Sequence, residues 1–122
     1  MLHKIEDIEY AEYLFNQFYS IGAVESGGVT RLGYTETEDE MHQVFVRLGE
    51  EKGYASSVDE VGNTYIYDPR YENEDYYLIG SHLDSVIDGG RYDGVSGIIT
   101  GLLLLEWARQ EHLDLPLRVG AM

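Results

Sequence analysis

The residue types and spacings best suited to chemistry fall in one run, Ile79-Gly-Ser-His82-Leu-Asp84-Ser-Val-Ile-Asp88-Gly-Gly-Arg91-Tyr-Asp93-Gly94-Val-Ser-Gly97. His82 and Asp84 stand two residues apart at the end of an extended stretch, so their side chains leave the same face of the strand. A carboxylate beside an imidazole fixes its tautomer and raises its basicity, the support that a metal-bound histidine ordinarily has. Asp93 stands at the mouth of an apolar helix. In a parallel sheet the C-terminal ends of strands and the N-termini of the following helices face one crevice, where ligands bind in open α/β folds. The same residues also have plain structural uses: a histidine hydrogen-bonded at a strand end, an aspartate capping a helix, glycines forming a tight loop. Spacing alone leaves both readings open.

Other polar residues carry weaker signals. Arg31, in Gly27-Gly-Val-Thr-Arg31, is the best candidate for an anion contact, because a guanidinium suits a substrate carboxylate or an acidic neighbour; a structural ion pair is the alternative. Asp88, Arg91 and Tyr92 are read as shaping their loop and forming salt bridges. His3, His42 and His112 lie on polar stretches and are read as surface histidines.

The elements that must position these groups can be read from periodicity. Ile5, Ile8, Ala11, Phe15 and Phe18 recur at helical steps opposite Glu6, Asp7, Glu9 and Glu12, which predicts an amphipathic helix over 5–19. Gly22 to Gly33 reads as an ordered loop. A second helix is announced by Thr35 or Thr37 with Glu38 or Glu40 three residues on; its core face is Met41, Val44, Phe45 and Leu48, and Gly53 stands at the left-handed C-cap position. Strands are predicted over 54–60, over 64–67 and, as a run lying inside a sheet, over 76–80. Val95 to Trp107 is apolar nearly all round, about half the length that would span a membrane, and reads as a buried helix. Gly94, Gly97 and Gly101 leave one side of it bare, so its backbone can lie close to a sheet. Leu115 to Met122 is a further strand. A helix joining the last two strands implies a parallel pair within a mixed α/β sheet.

Composition excludes several partners. Of 122 residues, 23 are Asp or Glu and 8 are Lys or Arg, a formal charge of −15. Such a surface cannot bind nucleic acid by counterion release and is repelled by anionic lipid, so neither nucleic acid nor a membrane is expected as a partner. With 43% hydrophobic residues the chain is expected to fold as one domain rather than remain a solvated acidic tail. The absence of cysteine removes disulfides, thiolate metal sites and cysteine nucleophiles. The acidic start lacks the apolar core of a signal peptide, which makes the cytoplasm the expected location.

The segments Gly80-Ser-His-Leu-Asp-Ser-Val and Gly89-Gly-Arg-Tyr-Asp-Gly-Val-Ser-Gly97, preceded by Ile21-Gly-Ala, Gly27-Gly-Val-Thr-Arg-Leu32 and Val58-Asp-Glu-Val-Gly-Asn-Thr64, resemble the hydantoinase/carbamoylase family of amidases in the same order. That family groups N-carbamoyl-L-amino-acid hydrolases, allantoate amidohydrolases and β-ureidopropionases within a clan of zinc-dependent exopeptidases. The resemblance implies part of a three-layer αβα catalytic domain with a mixed, partly parallel sheet. It implies two divalent ions, Zn, Mn, Co or Ni, with His82 as a metal ligand, Asp93 as the carboxylate bridging both ions, and Asp84 as the catalytic-site aspartate that supports His82. Two dications so held make a bound water nucleophilic near neutral pH. The bond broken would be a C–N bond of an N-carbamoyl amino acid, allantoate or a related ureido compound. An aminopeptidase or dipeptidase of the same clan shares the His-x-Asp pattern, and a non-catalytic acidic binding module is the alternative of another class.

Family members are several times longer, with an adjacent glutamate pair, further histidine ligands and a lid and dimerisation domain that these residues lack. Residues 1–122 are therefore read as the N-terminal part of the metal-dependent catalytic domain, expected to be inactive by themselves and weak in metal binding. Because the sequence stops inside a strand, an unpaired sheet edge is expected there, relieved by homo-oligomerisation.

Overall fold

The computed structural model describes residues 5–122. His3 lies outside them. The elements in order are α1 (Ile5–Tyr19), α2 (Glu36–Glu51), β1 (Ala55–Val58), β2 (Thr64–Tyr67), a single 3-10 turn (Pro69–Tyr71), β3 (Tyr77–Ser81), α3 (Val95–Gln110) and β4 (Leu117–Ala121). The four strands form one sheet in the order β1-β2-β4-β3. β1 and β2 are an antiparallel hairpin, β2 runs antiparallel to β4, and β3 and β4 are parallel, as their connection through α3 requires.

All three helices lie on one face of the sheet. Ile66 and Val119 are cross-strand partners and so point the same way; α2 meets Ile66 through Gly49, and α3 meets Val119 through Gly101. α1 packs against both α2 and α3. The opposite face, with Tyr65, Leu78 and Arg118, is covered by no helix among the described residues, so these residues build two of the three layers of an αβα sandwich. Among the described residues no helix is long and apolar enough to cross a membrane.

α2 forms as its sequence predicts, with one change in its cap. Thr35 is the N-cap, but its hydroxyl donates to the carbonyl of Leu32 at 2.5 Å instead of accepting from the first turn. Glu38 accepts from the backbone N–H of Tyr34, one residue before the N-cap, at 2.9 Å, so the expected capping box is not formed in either half. At the other end Gly53 has φ +80°, and the N–H of Tyr54 returns to the carbonyl of Gly49. Met41, Phe45 and Leu48 are buried and Val44 packs against them.

Three expectations are corrected. In α1 the buried stripe runs through Leu14 and Phe18, while Ile8 is 55% exposed, because contact with α2 and α3 selects a stripe rotated from the one that hydropathy favours. Among the described residues β3 is an edge strand and not an interior one: it pairs there with β4 alone and leaves Tyr77 and Leu78 exposed. β4, expected to present an open edge, is paired on both sides, by β2 and by β3.

A buried hydroxyl ties the helical layer to pH. The Tyr54 hydroxyl donates to Glu106 Oε1 at 2.6 Å, and burial together with that acidic acceptor pushes the phenol above the usual tyrosine range; burial does the same to Tyr10. The folded state thus holds these protons more tightly than the unfolded state does. Their stabilisation is complete below the unfolded tyrosine value near 10 and is lost as pH rises above it, by about 1.4 kcal/mol per pH unit for each such group. Urea midpoints should therefore fall steeply above roughly pH 10. Tyr54→Phe should lower stability at neutral pH by about 1 kcal/mol and make the alkaline fall shallower; an unchanged alkaline slope would remove Tyr54 from this account.

Candidate metal centre

The site is built at the C-terminal ends of the two parallel strands. β3 ends at Ser81 and β4 at Ala121, residues in register with each other, and the N–H of Met122 donates to the Ser81 carbonyl at 2.9 Å. His82 and Asp84 follow immediately, with Leu83 between them pointing into the core. That alternation sends both polar side chains to one side. His82 Nδ1 lies 3.1 Å from Asp84 Oδ1 and 3.1 Å from the Asp84 backbone carbonyl oxygen. Both neighbours are acceptors, so Nδ1 carries the proton and the Nε2 lone pair is left free to act as a ligand.

Glycines let the helix approach. A Cβ on Gly94 would lie 2.4 Å from the His82 carbonyl oxygen and 2.5 Å from its Nδ1; a Cβ on Gly97 would lie 2.5 Å from Ser81 Oγ. The start of α3 is thus pressed against His82, with Ser81 Oγ donating to the Gly94 carbonyl at 2.8 Å. Gly94, at φ +70°, is the N-cap and supplies no capping side chain. Asp93, one residue earlier, does not cap α3 and stays exposed. The three residues named from the sequence are therefore gathered around one strand-to-helix junction.

Donor chemistry is compatible with a divalent ion, since an imidazole with its second nitrogen held by a carboxylate and a nearby exposed carboxylate are ordinary ligands. The number is short. Among the described residues no group of three or more His, Asp or Glu is gathered as a metal cage.

The loop in front of this junction is held by the other glycine-rich segment. Val29 and Gly89 exchange backbone hydrogen bonds of 2.9 and 2.7 Å, and Gly28 packs so closely that a Cβ would lie 2.7 Å from Asp88 Oδ1. Asp88, at φ +50°, accepts from the Ser26 hydroxyl, and its N–H donates to Thr30 Oγ1. Asp88 shapes its loop, as read from the sequence.

Comparison with known proteins finds relatives named as amidohydrolases. No family model matches the sequence. The allantoate amidohydrolase of Escherichia coli K12 is 37% identical over 101 residues, covering 81% of this chain and 24% of that protein. An N-carbamoyl-L-amino acid amidohydrolase of Geobacillus stearothermophilus is 36% identical over 94 residues, 75% of this chain and 22% of that protein. The crystal structure of a hydantoinase/carbamoylase family amidase from Burkholderia ambifaria superposes with a TM-score of 0.83 at 32% identity, covering 93% of this chain and 29% of that one. The chain is homologous to the hydantoinase/carbamoylase family of amidases. It spans about a quarter of the length of the curated relatives it matches.

Arg31 is buried, and among the described residues no carboxylate lies within ion-pair distance of it. It is 1% exposed, its Nε donating to the Ile21 carbonyl at 2.8 Å and an NH2 to the Phe18 carbonyl at 2.7 Å, so it closes the C-terminal end of α1. Burial pushes its guanidinium below the usual arginine range, a range high enough that the group stays charged. Its own backbone is fixed to the site: its N–H donates to Ser85 Oγ, and its carbonyl accepts from the Ser85 N–H at 2.7 Å.

His42 is the residue that sequence reasoning missed. It is partly buried, with Nδ1 2.8 Å from Thr64 Oγ1, and with Asp84 it lines a hollow of about 700 Å³ between the start of α2, the β1–β2 turn and the end of β4. The turn is stiffened by Asp59, which accepts from the N–H groups of Val61 and Asn63, the Asn63 amide and the Tyr65 hydroxyl. Desolvation would raise the Asp59 carboxyl, but these hydrogen bonds outweigh it and hold the group below its ordinary value. No local pattern announces the His42–Thr64 contact, which joins a helix to a strand 22 residues away.

Proposed function

We propose that these residues supply part of the metal-binding half of an amidohydrolase that cleaves C–N bonds of N-carbamoyl amino acids, allantoate or related ureido compounds. The observation that carries the reading is the His82–Asp84 contact of 3.1 Å beside the glycine start of α3, with Asp93 one residue away. In this reading His82 Nε2 and the Asp93 carboxylate are donors to two divalent ions, of which Zn, Mn, Co and Ni all suit such ligands. Asp84 holds the imidazole in the ligating tautomer. When bound, the ions would polarise the substrate carbonyl and supply a nucleophile at neutral pH. The relatives named as allantoate and N-carbamoyl amino acid amidohydrolases support the substrate class, and the remaining donors and the proton-transferring base would come from outside these 122 residues.

The test is calorimetric titration of the 122-residue chain with Zn²⁺ and Mn²⁺ beside His82→Ala and Asp93→Ala. A specific heat in the wild type that falls at least tenfold in affinity, about 1.4 kcal/mol, in both variants is the expected result. Identical isotherms in all three would mean diffuse binding to the acidic surface and would sink the assignment. Turnover of an N-carbamoyl amino acid by this chain alone should be negligible, since positioning and proton transfer supply much of such a rate.

A further inference from the structure

A second cavity lies away from the His82–Asp84 junction, and its chemistry is of the opposite sign. It measures about 310 Å³ and is lined by Phe15, Asn16 and Tyr19 of α1 and by Arg91 and Tyr92 of the loop before α3. None of the five is acidic, in a chain with 23 Asp and Glu. The hollow beside Asp84, by contrast, has Glu38 and Asp39 in its wall.

Arg91 is held for display. Its guanidinium carbon lies 4.3 Å from the centre of the Tyr19 ring and 5.0 Å from that of Tyr92, and one NH2 donates to the Tyr92 hydroxyl at 3.1 Å. Tyr92 is itself fixed edge-on against Phe15 at 5.2 Å. Stacking occupies the flat faces of a guanidinium and leaves its N–H edges directed outward, where they fit a carboxylate or phosphate in a two-point contact. Among the described residues no carboxylate lies within ion-pair distance of Arg91. Acids outnumber bases almost three to one, yet this guanidinium meets two tyrosine rings and no carboxylate among the described residues.

We propose that this cavity is a binding site for a small flat organic anion, a carboxylate carried on an aromatic or heteroaromatic ring. The anionic edge meets Arg91, the ring lies against Tyr19, Tyr92 and Phe15, and Asn16 offers an amide to a second polar substituent. The volume, at the lower end for ligand cavities, limits the occupant to one or two rings. The site is separate from the proposed metal centre, although both use the turn that carries Arg91, Tyr92 and Asp93.

Benzoate is the probe, followed by amide and aromatic NMR shifts, with benzylamine as a ring of the same size and opposite charge. Benzoate should saturate with a dissociation constant of about 1 mM or tighter, shifting Asn16, Tyr19, Arg91 and Tyr92, while benzylamine should not saturate. Arg91→Gln should weaken benzoate at least tenfold with an unchanged circular dichroism spectrum, and Arg91→Lys, which keeps the charge but not the fork, should fall between. Equal response to both probes, benzoate binding retained in Arg91→Gln, or no saturation by benzoate would each overturn the proposal. None of these outcomes depends on metal, so the result stands apart from the proposed amidohydrolase activity.

Discussion

Arg31→Ala should lower the unfolding free energy by about 3 kcal/mol, the largest loss expected from a single side chain outside the apolar core. The guanidinium sits at 1% exposure and donates to two carbonyls at the end of α1, Phe18 and Ile21. Hydrogen bonds from a charged donor are worth about 1.5–3 kcal/mol each. Their loss leaves two buried acceptors short of partners beside a cavity. Against this, the variant no longer desolvates a charge, which returns part of the loss and keeps the estimate below the simple sum. The partial negative charge at a helix C-terminus favours a cation here, so Arg31→Lys should recover some but not all of the stability. Urea unfolding with an unchanged slope checks the value. If Arg31 instead contacted a substrate anion, Arg31→Ala would leave stability within about 0.5 kcal/mol of wild type and alter ligand affinity alone.

That residue also marks where the sequence stops being readable. Local chemistry was legible wherever one segment decides its own structure. The start and core face of α2, the left-handed Gly53 and the parallel crossover through α3 all follow from residues close to each other in sequence, although the predicted capping box does not form. The glycine side of α3 was legible for the same reason, and each glycine meets a strand or post-strand residue: Gly94 meets His82, Gly97 meets Ser81, Gly101 meets Val119. What was not legible depends on partners distant in sequence. Nothing near Arg31 says that the carbonyls of Phe18 and Ile21 will be above it, and nothing near His42 says that Thr64 will be beside it. The phase of α1 and the edge position of β3 failed similarly, because apolar periodicity and apolar runs report that a surface is buried without reporting by what. The His82–Asp84 contact was legible because strand alternation over three residues sets it, and Asp93 stands one residue before Gly94, which packs on His82, without the three forming a cluster among the described residues.

The sharpest functional prediction concerns a residue with no side chain. Gly94→Ala keeps His82, Asp84 and Asp93 unchanged, yet it should abolish the specific part of the Zn²⁺ and Mn²⁺ heat as completely as His82→Ala does. At φ +70° and ψ −50° the backbone is strained for any residue with a Cβ, and here the added carbon would lie 2.4 Å from the His82 carbonyl oxygen and 2.5 Å from Nδ1. Backbone cannot yield at that distance as the end of a flexible side chain would. Either the start of α3 moves off β3, taking Asp93 with it, or the imidazole swings away from Asp84; either change displaces a proposed donor. Strain in this γ-like backbone region adds about 1–3 kcal/mol of destabilisation, so the chain should remain folded while the site is lost. Gly90→Ala is the matched control, since a Cβ there meets nothing within 4 Å and its φ is not positive. Nitrogen-detected NMR of the imidazole separates the causes: wild type and Gly90→Ala should show the proton on Nδ1, and Gly94→Ala should lose that preference. Retention of both the Nδ1–H signal and metal affinity in Gly94→Ala would mean that close packing of α3 on His82 is not what holds the ligand in place.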